Sequence, residues 1–196
     1  PGEVIFNTVA AKGKSDVLNL EISVKERSTG TITLGAGYGS YQGFFFTTQI
    51  SEINLLGRGQ TLSLAAQYSV QRLSQSFNLG FNEPYTFDTR WTTGFDLYSV
   101  KFPIPYRYTT SKLGFDVKVG HPIYDYTQAY ITYKVEGIQD LDQFIGVPDS
   151  VIEADSGVLS SVIWSIVRDK RNNRFETTSG NYQSATLETA GLGGDL

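Results

Sequence analysis

The 196-residue sequence contains no cysteine. That excludes a disulfide scaffold and a thiolate metal site, and it is compatible with an oxidising envelope compartment. There is one histidine, His121, so no second imidazole or thiol exists to build a metal centre or catalytic pair around it. No stretch approaches the ~20 consecutive apolar residues of a membrane-spanning helix. This excludes helical spanning but not a barrel, whose signal per segment is weak. Positive charge is also scarce. The 16 Lys and Arg against 20 Asp and Glu leave a net −4, contrary to a nucleic-acid binder. The chain starts at Pro1 with neither initiator methionine nor signal peptide, so a processed or excised chain is expected and targeting is not read from it.

What the sequence has in quantity is aromatics, glycine and alternation. Tyr and Phe number 12 each, and Gly 20. The pattern is clearest from Lys112 to Val135, where two strands are joined by a short turn. Leu113, Phe115, Val117 and Val119 alternate with Lys112, Gly114, Asp116, Lys118 and Gly120. Ala129, Ile131, Tyr133 and Val135 alternate with Gln128, Tyr130, Thr132, Lys134 and Glu136. Side chains on a strand point to opposite faces at period two, so each strand has one apolar and one polar face. A soluble sandwich produces that pattern. So does a barrel in lipid, with its apolar face outward and its polar face on a lumen.

In chain order, Val4–Val9 and Val17–Lys25 form a hairpin with Leu18, Leu20, Ile22 and Val24 on one face. Two strands alone are marginal in water, so this hairpin needs a partner element. Glu26–Gly30 is the boundary. It divides the chain into 1–30 and 31–196. Nine strands are expected beyond it: Thr31–Gly39, Gly43–Leu55, Thr61–Val70, Ser76–Asn82, Arg90–Val100, the two of the hairpin at 112–136, Val158–Val167 and Tyr182–Leu192. Val158–Val167 is apolar on both faces, so its facing is open. Leu56–Gln60, Glu83–Thr89 and Pro122–Thr127 are short turns, and Ile138–Gly157 is the longest loop. Short turns at one end and longer loops at the other are the habit of outer-membrane barrels.

Candidate chemistry is sparse. His121, before Pro122, reads as a turn residue at a barrel rim. Ser160-Ser161 lacks a nucleophile elbow. Asp140, Asp142, Glu153 and Asp155 lack the spacing of a calcium loop and read as a solvated loop. Gly35-Ala36-Gly37-Tyr38-Gly39 precedes a strand rather than a helix, so it is no dinucleotide loop. Arg168, Lys170, Arg171 and Arg174 suit lipid phosphates, or a solvated turn with Asp169 as internal counter-charge. No enzyme, metal or cofactor is expected.

Several segments together resemble the BamA family of outer-membrane assembly factors. Val24-Lys25-Glu26-Arg27, then Gly30, resembles the last strand of the final POTRA domain entering the barrel. Leu34-Gly35-Ala36-Gly37-Tyr38-Gly39 resembles the glycine-rich first barrel strand. Asn54-Leu55-Leu56-Gly57-Arg58-Gly59 and Asn82-Glu83-Pro84-Tyr85 resemble the first two periplasmic turns. Asp169-Lys170-Arg171-Asn172-Asn173, with Gly180 downstream, resembles a later turn, although Thr177 or Thr178 stands where the family carries proline. The match covers about Val17–Leu196.

The resemblance implies an all-β protein: an antiparallel up-and-down meander of a transmembrane β-barrel, incomplete at about nine strands, preceded by a short POTRA-type hairpin. The family's barrel has roughly sixteen strands, so residues 31–196 are expected to be its N-terminal half. It also implies the bacterial outer membrane, with the POTRA side in the periplasm. The expected partners are nascent outer-membrane proteins, the lipid bilayer, accessory lipoproteins, and remaining barrel strands or a second copy. Leu113, Phe115, Val117, Val119, Ala129, Ile131, Tyr133 and Val135 are expected to face lipid. Thr31, Ile32, Thr33, Leu34, Gly35, Ala36, Gly37, Tyr38 and Gly39 are expected to form a lateral seam that pairs with a substrate strand. Glycines at alternate positions weaken packing on one face and loosen the backbone, which suits a strand that unpairs; they equally suit a crowded lumen. A secretion pore of the same superfamily and a passive barrel remain the alternative functions.

Overall fold

The computed structural model describes residues 3–10, 18–25, 28–40, 42–70, 74–104, 108–141 and 156–194. The chain divides into two units, Pro1–Gly30 and Thr31–Leu196.

The first unit is an antiparallel hairpin of β1 (Glu3–Ala10) and β2 (Leu18–Lys25). Phe6 lies opposite Ile22 and Val4 opposite Val24. Their apolar face is exposed within the unit, Phe6 at 64%.

The second unit is one antiparallel sheet of nine strands in next-neighbour order. They are β3 (Gly30–Gly39), β4 (Gly43–Leu55), β5 (Gln60–Ser69), β6 (Gln75–Glu83), β7 (Thr92–Ile104), β8 (Tyr108–Tyr124), β9 (Thr127–Leu141), β10 (Gly157–Asp169) and β11 (Tyr182–Ala190). Among the described residues the sheet is open, with β3 and β11 as its two edges. The only helical turn among the described residues is a 3-10 turn at Thr86–Asp88. A 13-residue strand such as β7 is about 43 Å long at ~3.3 Å per residue, and at a tilt near 40° it covers ~33 Å of depth, enough to cross a hydrocarbon layer.

The expected strands are present, with shifted ends. The central hairpin is longer than its alternation indicates. β8 runs through His121 and Pro122 to Tyr124, which were expected in a turn. Proline has no N–H for a ladder, and the register shifts between Pro122 and Tyr124 to accommodate it. β9 continues to Leu141, into the expected long loop. Residues 142–155 of that loop, with Asp142, Glu153 and Asp155, lie outside the described residues.

Turn chemistry closes one end of the sheet. Between β4 and β5, Leu56, Gly57 and Gly59 all have positive φ. Asn54 closes this turn twice: its carbonyl accepts from Gly57 N–H (3.0 Å) and its Oδ1 from Gly59 N–H (2.7 Å). Between β8 and β9 only Asp125 and Tyr126 intervene, Tyr126 at φ 59°.

Candidate functional site

The two faces of the sheet differ in chemistry and in cover. Register places Phe115 opposite Val135, Val117 opposite Tyr133, and Val119 opposite Ile131, with Ala129 opposite His121 and Leu113 opposite Gly137. The eight residues expected on one face therefore share it. The band continues sideways through Phe95 and Leu97 on β7 and Phe81 and Leu79 on β6. Phe81 stacks on Phe95 with centroids 5.7 Å apart. This face is the open one: Leu113 is 62% exposed and Phe115 45%. The polar face is the covered one, with Glu136 at 7%. A sheet whose polar residues are the better covered is curled with its polar side inward. Aromatics gather at both ends of the band, Tyr38 and Phe44 (5.0 Å) at one and Trp91 against His121 (4.5 Å) at the other.

The inner wall is a charged ladder that sequence reasoning did not single out. Tyr98 Oη donates to Glu136 Oε2 (2.8 Å), and Lys112 Nζ donates to Glu136 Oε1 (3.1 Å). Lys134 Nζ lies 2.8 Å from Glu188, which also accepts from Ser161 Oγ (2.7 Å). Asp96 and Asp116 are directly opposite. Each residue stands on the polar side of an alternating strand, which is legible; the pairing is not, because it depends on register.

The strand expected to form a seam, β3, is an edge. Among the described residues only β4 pairs with it. Ile32 and Leu34 are 70% and 75% exposed. Its glycines lie against β4 side chains: a Cβ on Gly37 would sit 2.5 Å from Phe45 Cζ, and one on Gly35 2.6 Å from Thr47 Oγ1. Phe45 and Thr47 belong to the inward face, in line with Ser69 and Gln67 of β5. Glycine here makes room for a phenyl ring on the lumen side. That accounts for the residue type without a moving strand.

At the turn end, beyond the apolar band, Asp169 gathers the basic cluster. Arg171 donates to it from Nε and Nη2, both at 2.9 Å, and Arg174 Nε lies 3.4 Å away. The Arg171 hydrogen bonds, aided by its charge and that of Arg174, hold the Asp169 carboxyl down at about 2. The Arg171 guanidinium also lies over the Tyr182 ring at 5.0 Å. Asp169 is thus the counter-charge of Arg171 and Arg174. Arg168 and Lys170 have no ion pair among the described residues. His121 lies in β8, not in a turn, and among the described residues no three His, Cys, Asp or Glu converge.

Comparison with known proteins bears on what this arrangement belongs to. The family model of the Omp85 superfamily domain matches residues 54–196. Over 184 residues, 91% of its length, the chain is 31% identical to the outer membrane protein assembly factor BamA of Neorickettsia risticii (strain Illinois), covering 24% of that protein. It is 31% identical to BamA of Neisseria meningitidis serogroup B over 130 residues, 63% of this chain and 16% of the relative. BamA of Nitratidesulfovibrio vulgaris is 26% identical over 93% of the chain, which covers 23% of it. The chain thus spans about a quarter or less of the length of these relatives. The crystal structure of BamA from Haemophilus ducreyi lacking POTRA domains 1-3 superposes with a TM-score of 0.66 at 20% identity, covering 99% of this chain and 40% of that one. At that identity the likeness is one of fold.

Proposed function

The chain belongs to the Omp85 superfamily, and from that premise we propose that it is part of a non-enzymatic outer-membrane machine that folds and inserts β-barrel proteins through a lateral seam at β3. The observation that supports this most is the match of residues 54–196 to the Omp85 superfamily domain, together with 31% identity to a BamA over 91% of the chain. This reading puts the seam at β3, an edge of the sheet among the described residues. Backbone groups in hydrocarbon must be paired, so a nascent strand does not enter lipid alone. A free edge gives it N–H and C=O partners by strand addition. Burial of apolar strand faces then drives insertion, with no nucleotide or cofactor.

In this reading the protein acts in the bacterial outer membrane, with the β1–β2 hairpin on the periplasmic side as the end of a POTRA domain. Its partners are nascent outer-membrane proteins, accessory lipoproteins, and either the remaining strands of the barrel or a second copy. The test is disulfide trapping. Cysteine at Thr33 or Gly35 should capture a cysteine in the terminal strand of a substrate, and cysteine at Leu64 or Ala66, in the interior strand β5, should not. Equal trapping at both places refutes the seam.

A further inference from the structure

Resting on the outer-membrane reading above, we infer that the groove between the β8–β9 turn and β11 is a binding site for an anionic phospholipid, with Arg168 holding its phosphate. Three successive cross-strand rows on the outer face carry the argument. The first is Ile131, Trp164 and Leu187; the second is Ala129, Ile166 and Ala185; the third is Thr127, Arg168 and Gln183. Each row lies two residues, or about 7 Å, beyond the last. Over that distance the surface changes from aromatic and aliphatic to hydrogen-bonding and cationic, on one face and without a gap.

The middle and third rows make the groove. Two alanines flank Ile166 in the ladder, and a cavity of about 460 Å³ is lined by Ile166 and Ala185, by Thr127, Arg168 and Gln183, and by Tyr124, itself 80% exposed. Arg168 is exposed and has no ion pair among the described residues. The neighbouring acid, Asp169, is already held by Arg171 and Arg174, and it stands on the other face of β10 by the period of the strand. An outward arginine just past the end of an apolar band lays its stem on that band and its guanidinium at the headgroup level. The fork of N–H donors matches phosphate oxygens. A free anion uses Arg168 alone. A phospholipid uses both halves of the groove, its phosphate on Arg168 and its acyl chain along the alanine row toward Trp164.

Trp164 is a built-in reporter. The intact protein is reconstituted in vesicles of phosphatidylcholine and phosphatidylglycerol, with brominated acyl chains on one lipid or the other at equal mole fraction. The Trp164 signal is the difference from Trp164→Phe. Phosphatidylglycerol should quench about fivefold more effectively, the worth of one cation at an anionic surface. Arg168→Gln should bring the ratio to one while quenching by brominated phosphatidylcholine persists, which certifies that the variant is folded in lipid. Arg174→Gln and added inorganic phosphate should leave the ratio unchanged. Equal quenching by both lipids in the native protein overturns the site and leaves the outer-membrane reading standing. A ratio erased by inorganic phosphate makes a free anion the ligand, and one erased by Arg174→Gln makes the effect a property of the whole turn; each overturns the assignment. Quenching by neither lipid removes this face from the bilayer, and the outer-membrane reading falls with it.

Discussion

Tyr98 reaches across Gly114 to hydrogen-bond Glu136, two strands away, at 2.8 Å. Gly114 is the ladder partner of both residues, and its missing side chain is the space that the Tyr98 ring fills. The same device recurs on the inner wall, where Tyr130 covers Gly120 and Phe45 covers Gly37. An aromatic ring laid over a cross-strand glycine restores the packing that glycine forfeits.

Two substitutions separate the parts of this arrangement. Tyr98→Phe keeps the ring and removes a hydrogen bond to a carboxylate, so a loss of about 1.5–3 kcal/mol is expected. Gly114→Ala evicts the ring and should cost about 1–3 kcal/mol as overpacking. Urea unfolding of the protein in detergent micelles measures both. A Gly114→Ala variant as stable as the native protein contradicts the packing role.

The glycines of β3 offer a sharper test, because packing and mobility predict different rescues. Gly37→Val collides with Phe45 and should impair assembly of the sheet. If room is the whole requirement, adding Phe45→Ala should restore substrate insertion to near the native rate. If backbone freedom at the edge is required, the double variant should stay impaired although it folds. Insertion of a reporter barrel into proteoliposomes reads the difference.

On the outer face, Val117→Arg should destabilise the protein by ~2–4 kcal/mol if the site lies near the bilayer midplane. A spin label at Val117 should be accessible to oxygen and shielded from a polar relaxant. The opposite accessibility makes this face water-exposed.

The turn after β10 should respond to acid in a defined window. The Asp169 carboxyl is depressed to about 2, below the ordinary carboxylate value near 3.9. A depressed acid contributes stability that is complete above its unfolded value and is lost as pH falls through its folded one. Residues 170–181 should therefore stay protected at pH 4 and loosen as pH approaches 2. Asp169→Asn should show the loosened turn at every pH. Limited acid proteolysis with pepsin reads it, and protection that is unchanged by Asp169→Asn removes Asp169 from that role.

The sequence by itself determined the strands. Alternation at period two marks each apolar face from local information, so Leu113, Phe115, Val117 and Val119 are recognisable together. Gly and Asn mark the turn at 54–59 for the same reason, since its backbone needs positive φ. Alternation does not say which face is covered, and it fails where both faces are apolar. On β10 only the ladder shows that Trp164 and Ile166 lie with the outer band and Ile163 and Val167 with the inner wall. Proline at 122 signals a turn locally, yet the longer β8 ladder carries the strand past it through a register shift. The contacts between Tyr98, Glu136 and Lys112, and the rings over Gly37, Gly114 and Gly120, were decided by tertiary structure alone. They join residues on different strands whose positions depend on register, and register is fixed by pairing along the whole sheet rather than by any short stretch of the chain.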